Sequence, residues 1–136
     1  MGILSIFGKK ESVQKDGKSP FVIGTEFSPY KLYANKRSAA SLFIRLKNAK
    51  NEPVMASVHV SLPKNISFSE MGLSKEKDIK LGTVNANEEK EVRSEILGDI
   101  GTDVGTYTVT VTAYEHYRDY DHVLNSVSKR ITLEVV

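Results

Sequence analysis

Apolar and polar residues alternate along most of this chain. Successive side chains of a β-strand point to opposite faces, so an alternation of period two predicts a strand with one buried face. The clearest case is GTYTVTVTA at residues 105–113, in which four threonines occupy the outward face. The inward face of this segment is formed by Tyr107, Val109, Val111 and Ala113. The same pattern in residues 54–62 ends at Pro63, since proline has no N–H to donate to a strand ladder.

Further alternating runs predict the other strands. They cover residues 40–48, 79–84, 91–96 and 130–136, with a first strand within residues 21–33. The inward residues of the longer runs are Leu42, Ile44, Leu46, Val54, Ala56, Val58, Val60, Leu62, Ile131, Leu133 and Val135. About seven strands at this spacing predict an all-β fold, an immunoglobulin-like antiparallel β-sandwich of two sheets.

Residues 63–78 show the weakest pattern. Ile66 and Phe68 are interpreted as a short strand, and Met71 and Leu73 are expected to cover one end of the core. No apolar stripe of helical period and useful length occurs in the chain.

Composition limits the chemistry that the chain can perform. Its 136 residues fit one domain, 40% of them are hydrophobic and 26% charged. The chain has no cysteine, which excludes disulfides, thiol catalysis and metal sites built on thiolates. The absence of cysteine also fits a reducing compartment, so a cytoplasmic location is expected.

The formal net charge of +2 resides in the first twenty residues, and the remainder of the chain is neutral. A neutral body gives no support to a nucleic-acid footprint on the folded domain, so no nucleic-acid partner is expected.

Residues 1–20 are predicted to be a flexible N-terminal tail, and residues 21–136 the folded domain. The apolar run at residues 3–7 is too short to span a membrane and lacks the order of a signal peptide. Followed by Lys9 and Lys10, it makes residues 3–10 a candidate for weak contact with a membrane surface or a partner's groove. No transmembrane segment is expected.

Four segments in order resemble a known class of module. They are LKN (46–48), VHVSLP (58–63), LGTV (81–84) and GTYTVTVTA (105–113). Together they are similar to the immunoglobulin-like modules of prokaryotic surface and carbohydrate-active proteins, such as the cell-adhesion-related domain CARDB. The resemblance covers roughly residues 25–135 and implies a sandwich with a non-catalytic role.

Two details accompany this resemblance. Gly105 and Tyr107 resemble a tyrosine corner, in which the ring packs in the core and the hydroxyl bonds to nearby backbone. Where the family's turn usually has a glycine, Asn87 is expected to adopt the left-handed conformation.

The densest group of chemically useful side chains is YEHYRDYDH, residues 114–122, in the predicted hairpin between the last two strands. The candidate partner-binding residues are Tyr114, Tyr117, Arg118, Asp119, Tyr120 and Asp121. In a strand, positions 114 and 120 share a face and 117 opposes them, so at least one ring is expected to be exposed. Immunoglobulin-like topology places this hairpin near residues 48–52.

Several interpretations of this hairpin remain open. Tyrosine-rich loops suit protein binding, because the ring offers contact area at a low entropy cost. Sugar binding through the tyrosines is the alternative, although the chain has no tryptophan. A metal site at His116, Asp119, Asp121 and His122 is not favoured, since the spacing matches no zinc pattern. A solvated hairpin without a binding role is the simplest interpretation.

The sequence therefore predicts a non-catalytic binding or interaction module with a possible protein partner and no cofactor. A carbohydrate-binding module is the alternative, and an enzyme is the least favoured function. The motifs of α/β-hydrolases, P-loop proteins, zinc peptidases and dinucleotide-binding proteins are all missing from the sequence. His59, between Ser57 and Ser61 on an outward face, is interpreted as a lone surface histidine.

Overall fold

The computed structural model describes residues 20–69 and 71–136, and these residues form β-strands joined by loops. The strands are β1 (Phe21–Ser28), β2 (Lys31–Leu32), β3 (Ser38–Asn48), β4 (Val54–Ser61), β5 (Glu76–Val84), β6 (Glu89–Gly98), β7 (Gly105–Tyr117) and β8 (Asp119–Val135). The described part of the chain contains no helix, so the all-β prediction is confirmed. The predicted tail lies outside the described residues, apart from Pro20.

The strands form two sheets. One has the order β1-β3-β6 and the other the order β2-β8-β7-β4-β5. Every pairing is antiparallel except that of the two-residue β2, which runs parallel to the end of β8. The chain therefore changes sheets between β1 and β2. This arrangement confirms the immunoglobulin-like sandwich.

The core lies between the two sheets and is formed by the residues that alternation assigned to it. All the inward aliphatic residues predicted for β3 and β4 are buried, as are Val109, Val111 and Leu133. Tyr107 and Ile131 are partly buried and pack against this core. Full burial of a valine, leucine or isoleucine side chain stabilises the folded state by about 1.5–3 kcal/mol relative to leaving that side chain exposed.

The segment between β4 and β5 differs from its prediction. Ile66 is buried and Ser67 forms an isolated bridge with Leu97, but Met71 and Leu73 project into solvent. The loop turns back on itself through a bond from the Phe68 N–H to the Ser74 carbonyl, 2.8 Å. Its tip therefore extends past the sheets, and the prediction that Met71 and Leu73 cover the core is wrong.

Two predicted local features are confirmed. The hydroxyl of Tyr107 donates to the Asp103 carbonyl at 2.8 Å, which is the geometry of a tyrosine corner. Asn87 has a φ of 62° in the turn between β5 and β6. Both features fix the position of a connection between sheets.

Replacing Val111 with alanine tests the assignment of the core. Val111 is fully buried, so we expect Val111→Ala to lower the free energy of unfolding by roughly 1–3 kcal/mol, through lost burial and a residual cavity. Thr108→Ala, on the exposed face of the same strand, is the matched control and should cost no more than about 0.5 kcal/mol. Equal losses for the two variants in urea denaturation would contradict this assignment.

Candidate functional site

The hairpin between β7 and β8 is tight at its tip and irregular beyond it. Tyr117 pairs with Asp119 around Arg118, which has a φ of 72°. The pairing then shifts, because His116 is opposite Val123 and Glu115 is opposite Asn125. Residues 120–122 and Leu124 are thus extra residues on β8. Such bulges bend a strand and redirect side chains.

Tyr120 is one of the redirected residues, and its side chain lies across the outer face of the five-stranded sheet. Its hydroxyl accepts a hydrogen bond of 2.9 Å from the backbone N–H of Gly82 on β5. Its ring lies edge-on to the His116 ring with 5.0 Å between centroids, and the Lys80 ammonium is 5.0 Å from its centroid. Tyr120 therefore connects β8 to the far edge strand of its own sheet.

Gly82 makes this contact possible. It has a φ of +70°, and the pairing of β4 with β5 shifts at this point, between Ala56 and Ser57. A positive φ suits glycine, which has no Cβ to clash with the backbone. The bulge takes the Gly82 N–H out of the regular ladder and leaves it to Tyr120.

His116 lies beneath Tyr120 and is buried. Its Nε2 is 2.7 Å from the Ser57 hydroxyl, and its Nδ1 has no hydrogen-bond partner among the described residues. The Ser57–His116 hydrogen bond joins β4 to β7.

A shallow depression of about 250 Å³ lies beside these side chains. Its lining residues are Ser57, Asp78, Lys80, Tyr114, His116, Tyr120 and Val123. Tyr114 and Tyr120 lie on this outer face, as strand periodicity predicted, and the ring of Tyr117 is exposed elsewhere on the hairpin.

The structure places the six candidate residues in two groups. Tyr114 and Tyr120 are half-buried on the sheet, whereas Tyr117, Arg118, Asp119 and Asp121 are exposed at the tip. Periodicity alone does not reveal the extra residues of β8 that produce this division.

The exposed part of the hairpin includes two residues that the sequence interpretation missed. Val123 and Leu124 are 52% and 54% exposed, close to the 51% of Tyr117. These two adjacent apolar residues break the alternation of apolar and polar positions. That break was the signal in the sequence that could have identified them. Together with Tyr117, Arg118, Asp119 and Asp121 they form what we call the tip surface.

Two contacts order the polar part of the tip surface. The Arg118 guanidinium lies over the Tyr117 ring, 5.0 Å from its centroid. The Asp119 carboxylate accepts from the Asp121 N–H at 3.0 Å and contacts His122 Nδ1 at 2.7 Å. The hydrogen bond to His122 lowers the pKa of Asp119 below its usual value.

The β3–β4 loop meets the hairpin at this end, as predicted. The Lys50 ammonium is 2.9 Å from the buried Glu115 carboxylate, which also accepts from Asn125 at 2.8 Å. Asn48 is buried and donates to three backbone carbonyls, so its role is structural. The bonds of Lys50 and Asn125 to Glu115 hold the base of the hairpin.

His59 is not the isolated surface histidine that the sequence suggested. Its Nδ1 is 2.6 Å from Asp78 and its Nε2 is 2.6 Å from Glu76, both on β5. Burial lowers the pKa of His59, but the hydrogen bonds to the two carboxylates raise it by more, so the net pKa is raised. The bond from His59 lowers the pKa of Glu76. The prediction of a lone surface histidine is wrong because the residue pattern of β4 alone does not show which residues of β5 lie opposite His59.

Residues 20–69 and 71–136 contain no group of three histidine or carboxylate side chains placed to hold a metal ion. The same residues include no helix able to cross a membrane.

Comparison with known proteins places this chain by its fold. No family model matches the chain, and no curated protein matches it. Its structure is similar to part of the alkylpurine DNA glycosylase AlkC of Pseudomonas fluorescens, solved bound to DNA containing an abasic site analogue. The TM-score is 0.50 at 18% identity, and the match covers 86% of this chain but 30% of that one.

A second solved structure is more distant. The PapD-like domain 7 of human CEP192 gives a TM-score of 0.44 at 12% identity, with 97% of this chain and 98% of that chain covered. Identities this low concern the fold alone. Neither match supports the CARDB family, which stays a prediction from the sequence motifs.

The pKa of His59 can be measured directly by NMR titration. Both ring nitrogens face carboxylates, so we expect a value above the ordinary 6.5 or so for histidine. The stabilisation is then complete below that ordinary value and is lost as the pH rises through the raised folded value. Glu76→Gln with Asp78→Asn should return the pKa toward normal. A native His59 that titrates at or below the unfolded value would contradict the geometry.

Tyr120→Phe isolates the hydroxyl contact with Gly82. The change leaves the ring in place but removes the acceptor, so we expect a loss of about 0.5–1.5 kcal/mol in the free energy of unfolding. Tyr117→Phe, at the exposed tip, is the control and should change stability by no more than about 0.5 kcal/mol. Equal stability of the Tyr120→Phe variant and the native protein in chemical denaturation would show that the hydroxyl does not hold the hairpin.

Proposed function

We propose that this protein is a non-catalytic binding module of the cytoplasm that recognises another protein through its tip surface. The observation that carries this proposal is the trio of half-exposed apolar side chains, Tyr117, Val123 and Leu124, on one well-ordered hairpin. Exposed apolar groups held on a rigid strand pair are suited to contact a partner.

The chemistry of the tip surface fits protein recognition. Tyrosine and arginine are the residue types that most often dominate the energy of protein interfaces, and here Arg118 stacks on Tyr117. Leu124 and Val123 supply the apolar centre. Asp119 and Asp121 supply a polar rim that favours a partner with basic groups.

Charge supports a protein rather than a nucleic acid at this end. The segments 49–53, 85–88 and 117–122 carry the acidic residues Glu52, Glu88, Asp119 and Asp121. Only two basic residues, Lys50 and Arg118, occur in the same segments. An acidic end repels phosphate.

Sugar binding through the tyrosines has less support. A sugar ring stacks on an uncovered aromatic face, but Lys80 lies over Tyr120 and Arg118 lies over Tyr117. A saccharide at either ring is therefore restricted to the face opposite the cation. Protein binding does not depend on a free ring face, because arginine and tyrosine can be contacted together.

Site-specific photo-cross-linking tests the proposal. A photoreactive phenylalanine analogue replaces Tyr117 in one variant of this protein and Leu124 in a second. A third variant carries the analogue at Thr108, which lies on the same sheet but far from the tip. We expect one protein to be cross-linked in cells from both tip positions and not from Thr108.

The captured protein then allows an affinity measurement. Tyr117→Ala with Leu124→Ser should weaken its binding by about tenfold or more, as for interface residues worth at least 1.4 kcal/mol. Thr108→Ala is the control. Cross-linking from Thr108 alone, or unchanged affinity in the tip variant, would contradict the proposal.

A further inference from the structure

The end of the sandwich opposite the tip surface is formed by the described residues of three segments, 29–37, 62–75 (without residue 70) and 99–104. Backbone and side-chain bonds hold these segments together. The Asn35 N–H donates to the Thr102 carbonyl at 2.8 Å, and the Thr102 hydroxyl donates to the Asn65 carbonyl at 2.5 Å. The three segments therefore present one surface, which we call the basic end.

Large apolar side chains project from the basic end. Met71 and Leu73 are 79% and 78% exposed, and Ile100 and Val104 are 79% and 70% exposed. Single exposed apolar residues are ordinary, but four of them on two adjacent loops form a group. Gly72 and Asp99 bring these loops together, since a Cβ on Gly72 would lie 3.8 Å from the Asp99 carboxylate.

The same three segments also carry basic and aromatic residues. The three segments contain five basic residues, namely Lys31, Lys36, Arg37, Lys64 and Lys75. They contain three acidic ones, namely Glu70, Asp99 and Asp103. The ammonium of Lys36 lies 5.2 Å from the Tyr33 ring centroid, and that of Lys31 lies 5.4 Å from that of Tyr30. The charge is opposite in sign to that of the tip end.

We propose that the basic end docks onto an anionic lipid surface. Apolar side chains that project from neighbouring loops insert readily into a deformable apolar layer, whereas a rigid protein partner would need a matching hole for each. Lysine and arginine around them attract anionic headgroups, and tyrosine suits the boundary between water and lipid.

The fold gives this docking a defined orientation. The strands run from one end of the sandwich to the other, and β7 begins beside residues 99–104 and ends at Tyr117. A domain standing on its basic end therefore directs the tip surface away from the lipid. Lipid and protein contacts can then be made at the same time.

Vesicle flotation of the full chain tests this inference. We expect the protein to float with vesicles of phosphatidylcholine mixed with phosphatidylserine, and weakly or not at all with phosphatidylcholine alone. Leu73→Ser with Ile100→Ser should reduce the bound fraction at least about tenfold. Lys36→Glu with Arg37→Glu should reduce binding to the anionic vesicles. Thermal unfolding monitors the fold, which these exposed changes should leave intact.

Two matched variants distinguish the basic end from other surfaces. Val123→Ser with Leu124→Ser changes the tip surface and should leave flotation unchanged. Ile3→Ser with Phe7→Ser changes the apolar run of residues 3–7 and should leave most of the binding in place.

Three results would overturn the inference. One is failure of the native protein to float with anionic vesicles. Another is loss of flotation in the Ile3→Ser, Phe7→Ser variant with retention in the Leu73→Ser, Ile100→Ser variant. The third is retained flotation of the Leu73→Ser, Ile100→Ser variant together with a change in its oligomeric mass. That result would assign the basic end to contact with a second copy of this chain.

Discussion

The packing of two sheets, each with one apolar face, is the constraint on which the rest of this structure depends. Burying those faces against each other uses the large aliphatic side chains of β3, β4 and β7 and leaves polar residues on the outer faces. Apolar groups that do not fit between the sheets are left at the two ends. The candidate binding surfaces are therefore loops and hairpins at the ends.

The five-stranded sheet adds a second constraint through Tyr120. Because its hydroxyl bonds to Gly82 and its ring covers His116, β8 must contain extra residues next to the tip. In this irregular part of β8, the side chains of Val123 and Leu124 are exposed to solvent. The structural role of one tyrosine thus accounts for the exposed position of its apolar neighbours.

Much of the fold was predictable from single strands, because burial of a face and period two are properties of one segment. Val58, Val111 and Leu133 were assigned to the core in this way, and the tyrosine corner followed from Gly105 and Tyr107.

Features that depend on two distant segments could not be predicted in this way. The contact of His59 with Glu76 and Asp78 requires the register of β4 on β5, and the Tyr120–Gly82 bond requires bulges in two strands. Met71 and Leu73 were assigned to the core because they are apolar, but their loop closes on itself before it can reach the sheets. The division of the six hairpin residues into two groups has the same origin.

We propose that this domain makes its contacts at its two ends and not on its sheet faces. Hydroxyl-radical footprinting of the protein, alone and in whole-cell extract that retains its membranes, tests this proposal. We expect protection of Tyr117 and Leu124 at the tip surface and of Met71 and Leu73 at the basic end. Tyr114, on the outer face of the sheet, should react equally in both samples. Protection of Tyr114, with both ends unchanged, would contradict it.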